Sequence, residues 1–355
     1  MTGGERSART NNTQGIARAK TARGHHFLSR CYLKGFAVRL QKKNRYQIQV
    51  YDRFERRVFP NSIDNIGKER DFNRIEIEGV APDTLETGLA RFEDKLAPAL
   101  ERAIGECKFH NDEDRAFVLN FVALLALRNP RWRQRMAEFR EHTIRLMMDM
   151  VLSSKERFEK QTAVARRDGF LDEKNEISYE EVKKFHAEGA FKIEIPNELR
   201  IQSEMNGVDA LLPHLFKRNW IFLKAAPNSA GFITSDHPVV LVWSDPARTG
   251  RSYPPGFGLP GTEVMFPLST RLAMIGAFEI RNGTMEASEE MVAHLNGAVV
   301  ATATRQVYAR DHNFQYKRSP AEQARKASRL IDDPQFHRER ERRETKKDED
   351  SEDAA

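Results

Sequence analysis

The order of its secondary-structure signals most constrains this chain: helical periodicity fills the middle, and from Asn219 onward β-rich segments take over. Asp83 with Glu86 makes a capping-box-like start, and Leu85, Leu89, Phe92, Leu96, Leu100 and Ile104 follow at helical spacing, with Pro98 expected to bend the helix. The run "NDEDRAFVLNFVALLALRNP", residues 111–130, carries acids in its first turn, is apolar nearly all round and stops at Pro130, which predicts a buried central helix. Arg131 to about Ala165 reads as one long amphipathic helix, with Met136, Phe139, Met147, Met150 and Val151 as its inner face. Ser178 and Glu181 form a second capping box, opening a short helix that leads to an expected strand "FKIEI", residues 191–195.

Strands are expected at "YQIQVYDR", residues 46–53, where Ile48 and Val50 alternate with Gln47 and Gln49, and at Arg57 to Phe59. After residue 219 the segments "NWIFLKA", "GFITS", "PVVLVW", "EVMFPL" and "RLAMIGA" follow one another between turn residues. A last helix, about Ser288 to Arg305, precedes a closing strand "QVYAR". Segregated helices and strands predict an α+β fold: a helix-rich N-terminal and central part packed on a mainly antiparallel sheet built largely from the C-terminal half.

Charge sets the expected limits of that domain. Residues 1–23 hold five Lys/Arg against one acid, and with almost no apolar content residues 1–22 read as a disordered basic arm. Residues 317–355 hold eleven charges of each sign and read as a charged, partly helical or disordered tail, leaving 23–316 as a single domain. The excess positive charge also falls on residues 131–167, with ten Lys/Arg against five acids, which suits nucleic acid or another polyanion as partner and equally suits a solvated helix face. Two cysteines and no apolar run long enough to span a bilayer give a cytoplasmic expectation with no membrane contact. Cys31, inside an apolar run, reads as a core hydrophobe.

Three groups of polar residues could carry chemistry. His25 and His26 offer imidazoles for a metal or a proton, although neighbours in a strand point to opposite faces and a structural role competes. "FITSDHPVVL", residues 232–241, breaks two β-rich segments with Thr-Ser-Asp-His-Pro, so Asp236 falls at a strand end, either as a metal ligand or in a local turn with Ser235. On the central helix Asn120 and Arg128 share a face with Phe117, Phe121 and Leu124, so both should point inward, and Glu86 or Glu93 could answer the guanidinium. Asn296, between Val292 and Val299, is a similar inward polar residue. No Gly-rich phosphate loop, nucleophile elbow, zinc-finger spacing or dinucleotide fingerprint is present.

Taken in order, these pieces resemble the DUF4238 family, functionally uncharacterised and mainly bacterial. The matching residues are His25, His26, Tyr32, Leu33 and Phe36, then Tyr51-Asp52, Glu86 and Glu93, Arg128 with Pro130, Trp220, Thr234 to Val239, and Pro267 to Ser269. Ser29, Asn73 and Thr270 depart from the family pattern at turn and packing positions. The resemblance implies that His25, His26, Arg128 and Asp236 are recurrent polar positions, and it brings no reaction. Two functions of different class follow as expectations. The first is a metal-assisted hydrolase of an anionic, phosphodiester or nucleic-acid, substrate. In it His25, His26 and Asp236 hold a divalent Mg, Mn or Zn, Glu93, Arg128 and Asp236 are catalytic, and Arg128, Asn120 and Ser235 bind substrate. The second is a non-enzymatic binding or regulatory module whose polar cluster is a buried structural network.

Overall fold

The computed structural model describes residues 23–337, apart from 42–44, 173, 175–177, 190 and 249–252. The arm expected over residues 1–22, and the tail beyond 337, lie outside the described residues. In chain order the elements begin with β1 (Gly24–His26), α1 (Arg30–Leu33), β2 (Val38–Leu40), β3 (Arg45–Asp52), β4 (Arg57–Ser62) and β5 (Lys68–Arg70). Helices follow: α2 (Thr84–Glu106), α3 (Asp112–Leu127), α4 (Pro130–Leu152), α5 (Lys155–Arg167), α6 (Tyr179–Glu188) and α7 (Asn197–Phe216). Then come β6 (Asn219–Ala225), β7 (Thr234–Ser235), β8 (Val240–Trp243), β9 (Thr262–Ser269), β10 (Leu272–Ala277) and β11 (Gly283–Ala287). The chain closes with α8 (Glu289–Thr302), β12 (Gln306–Ala309), β13 (Gln315–Tyr316) and β14 (Arg325–Lys326).

This is the expected α+β arrangement. One five-stranded sheet runs β11-β6-β10-β9-β8, antiparallel except for the β11–β6 pair. A second sheet, β2-β3-β12-β7 with β4 on β3, joins the N-terminal strands to the closing strand. Alternation along the central strands sends their side chains to two cores, as a sheet buried on both faces requires. Phe222, Phe266 and Met274 pack with α2, α3 and α7 through Leu100, Val122 and Leu211, whereas Leu223, Met265 and Ala273 pack against Val292, Leu295 and Val299 of α8.

Helix boundaries follow local chemistry. Asn111 caps α3 by accepting from the Asp114 amide at 2.7 Å, and Arg102 of α2 grips the buried Asp114 carboxylate with two nitrogens. Arg128 leaves helical geometry because Pro130 starts α4, for which Asn129 is the cap, accepting from Trp132. Pro98 lies inside a continuous α2; Asp83 makes no side-chain cap, and Glu86 accepts from Asn73.

The single helix expected from Arg131 to Ala165 is two helices, broken at Ser153-Ser154, where Ser154 caps the second. Its expected inner face is largely outside: Phe139 is 62% exposed, Met147 60% and Met150 58%, while α4 buries Arg133 and Leu152. The segment 191–195 is not a strand and pairs with no strand among the described residues. Residues 317–337, assigned to the tail, pack onto the fold: the Lys317 amide bonds Ala293, and Leu330 and Phe336 are fully buried in the second core. Balanced charge hid those few apolar anchors.

Candidate functional site

β1 and β5 form a two-stranded ribbon in which His25 faces Glu69 and His26 faces Lys68 across the pair. Gly67 makes the turn into it at φ +59, and its carbonyl accepts from the Phe27 and Leu28 amides. A buried polar network ties this ribbon to the helices. His25 Nδ1 accepts from the Asn73 amide at 2.8 Å; Asn73 donates to Glu86; and Arg128 Nη2 donates to the His26 carbonyl at 2.8 Å and to Asn73 Oδ1 at 3.1 Å. Burial pushes the Arg128 guanidinium down to about 10, with Glu204 opposing. Glu93 bonds Ser29 beside this network, its carboxyl raised by burial. Asn73 thus links the His25 ring, Glu86 and Arg128, while His26 joins the network through its carbonyl and Glu93 lies beside it.

The remaining candidates lie elsewhere. Asn120 is half-buried and donates to the Ala116 carbonyl of its own helix, and Ser235 Oγ accepts from the His237 amide in a local turn. Asp236 is buried with both oxygens committed: Oδ1 accepts from Thr304 N at 2.7 Å, and Oδ2 from Arg305 N at 2.6 Å and Gln306 N at 3.0 Å. Burial raises its carboxyl and these three amides lower it. Asn296 bridges the Ile233 amide with the Gly231 and Gln315 carbonyls. Cys31 is partly buried, its thiol raised by burial, as a core residue's would be. Among the described residues no group of three or more His, Cys, Asp or Glu side chains is placed to hold a metal ion, and no helix is long and apolar enough to cross a membrane.

An open cleft of about 750 Å³ lies beside the ribbon. β5 forms one wall, the first turns of α4 and α7 another, and Asp236 with the start of β12 a third. Of the candidate metal, catalytic and substrate residues, Asp236 alone lines it. Its floor is Phe72, held between two cations: Arg133 sits 3.4 Å and Arg128 5.6 Å from the ring centroid. The buried polar network thus positions the cleft from behind.

Most charges in the cleft are already answered. Arg133 makes a two-nitrogen bond to the fully buried Glu204 carboxylate of α7. Arg305 donates to Asp52 at 2.7 Å and to Glu55 at 2.8 Å, and Arg70 lies 3.4 Å from Asp71. Lys68 Nζ donates to the Asp64 carbonyl at 3.1 Å. Two charged groups are left without a hydrogen bond or ion pair among the described residues. They are Arg200 in the first turn of α7, whose Nε is buried, and Glu69 on the ribbon, which is exposed to solvent. Burial and the nearby Asp236 raise the Glu69 carboxyl, while Arg133 opposes them. Neither residue had been read as functional. The i, i+4 polar pair Arg200 and Glu204 in "NELRIQSE" was the available signal, since Ile201 already fixes the buried side of that helix.

A family model described as "Protein of unknown function (DUF4238)" matches residues 24–313. No curated protein and no solved structure matches the chain.

Proposed function

The chain belongs to the DUF4238 family, and from the groups that this member places around its cleft we propose that it binds an anionic ligand there. The observation that carries the proposal is Arg200: a guanidinium that lines an open cleft and has no side-chain acceptor among the described residues. A phosphate or carboxylate in the cleft matches the planar fork of such a group. Lys68 and Arg70 at the ribbon add positive charge at the mouth.

Anion binding is the step shared by a hydrolase of phosphodiesters and by a non-catalytic binding module. The buried bonds of His25, Arg128 and Asp236 support the second, because they read as a network that holds the cleft's walls. Titration calorimetry of the full chain with inorganic phosphate tests the proposal. Arg200→Gln should weaken binding by about 1.5–3 kcal/mol, the worth of a charge-assisted hydrogen bond. Equal affinity in both proteins would exclude the cleft as the site.

A further inference from the structure

We infer that the exposed apolar stripe of α4 is a surface on which a second copy of this chain docks, the two α4 helices lying antiparallel about a two-fold axis at Leu146. Phe139, Leu146, Met147 and Met150 are 52–62% exposed. At 3.6 residues per turn, Phe139, Leu146 and Met150 fall within about 40° of one line along the helix. Taking about 200 Å² for a large apolar side chain, the four residues leave roughly 450 Å² in water, within the range of patches that are often functional.

The sequence narrows the occupant. Residues 338–355 hold no apolar residue larger than Ala, and residues 1–22 only Met1 and Ile16, so neither end of the chain has the side chains to cover the stripe. Residues 134–153 set Arg135, Arg140 and Arg145 against Glu138, Glu141 and Asp149 and carry no net charge. Such a face does not draw in an anionic bilayer or a polyanion, and it does not repel its own copy.

The stripe is also complementary to itself. Leu146 lies midway between Phe139 and Ser153, and midway between His142 and Met150. Reversing a second copy about Leu146 therefore sets Leu146 on Leu146 and Phe139 over the other copy's Ser153, with Met150 one turn away, where ring and thioether attract. His142 and Asp149 border the same flank, so the same operation brings each His142 beside the other copy's Asp149. Asp149 accepts from His186 of its own chain at 2.6 Å, yet its side chain stays 63% exposed and open to a second donor. Two such stripes supply about 900 Å² of apolar surface, and with their polar rim they approach the roughly 1,200 Å² of the smallest stable interfaces. A pair of this size is weak. It forms in concentrated protein and is dissociated in a dilute denaturation experiment, where Phe139 and Met150 stand in water.

Sedimentation equilibrium of the full chain over about 5–500 µM tests the inference. The expected result is a mean mass that rises reversibly from one chain toward two. Leu146→Glu sets two carboxylates on the axis and should weaken association about ten-fold or more; His142→Asp, which meets Asp149 with a like charge, should weaken it as well. Should Leu146→Glu fail to fold, Phe139→Gln tests the same face. Leu146→Cys should cross-link to itself under mild oxidation, whereas Arg135→Cys and the unaltered chain, with Cys31 and Cys107, should not. A single-chain mass at every concentration overturns the inference, as does association that these substitutions leave unchanged. A dimer in which Leu146→Cys does not cross-link overturns the antiparallel arrangement.

Discussion

Replacing Asp236 by Asn asks whether this residue is a piece of the scaffold or a reactive group. Three backbone amides from Thr304 to Gln306 converge on its two oxygens at 2.6–3.0 Å. An Asn side chain keeps one oxygen and presents an NH₂ in place of the other, so at least one amide faces a donor. Losing one charge-assisted bond costs about 1.5–3 kcal/mol, and the surviving bonds fall to neutral strength, about 1 kcal/mol each. The expected loss is at least about 2.5 kcal/mol, large for a conservative change. For a domain of this size, at about 2 °C per kcal/mol, the melting temperature should fall by roughly 5 °C or more. Urea denaturation is the assay, with an unchanged m-value showing that the unfolded states compare directly. A loss below about 1 kcal/mol would refute the reasoning, because it would mean that the three amides do not depend on the carboxylate.

Three other outcomes are expected. His237 is held at about 4 by burial and by Arg131 and Arg135, below its ordinary value of 6.5, so the unfolded chain takes up its proton first as pH falls. Stability from this group is complete above about pH 6.5 and is lost toward pH 4, by up to about 3 kcal/mol; denaturation of His237→Gln against pH should show a flatter slope across that window, and an unchanged slope would contradict it. Gly67 has φ +59 and an added Cβ would come within 2.7 Å of Leu28 Cβ, so Gly67→Ala should cost about 1–3 kcal/mol in urea, and a neutral result would show that the turn can relax. Phe139 and Met150 are mostly exposed, so Phe139→Gln and Met150→Gln should each change stability by less than about 0.5 kcal/mol; larger losses would restore them to an inner face.

The parts of the fold that were legible in sequence are those where local chemistry decides. Asn129-Pro130 stops one helix and starts another by sterics and capping alone, and Ile48 and Val50 declare a strand whose inner residues are both fully buried. Apolar spacing was a weaker guide. Phe139, Met147 and Met150 have helical periodicity, but α4 turns Arg133 inward because Glu204 and the Phe72 ring await it there, a partnership that no local window contains. "FKIEI" alternates like a strand but pairs with no strand among the described residues.

The candidate site divided in the same way. His25, Arg128 and Asp236 stood out because polar residues interrupt apolar runs, and that signal marks buried hydrogen bonding as readily as chemistry. Glu69 sits on a three-residue strand and Arg200 in a helix's first turn, where charged side chains are ordinary. Only the tertiary fold shows that both open into one cleft and that neither has been answered.

The central claim concerns the Arg200 side chain, and nitrogen-15 spectra of the arginine Nε–H groups during a phosphate titration observe it directly. The Arg200 signal is assigned by its disappearance in Arg200→Gln. The account predicts that this signal shifts as phosphate saturates, while that of Arg133, held by Glu204, stays where it was. A titration that saturates with the Arg200 signal unmoved would contradict it.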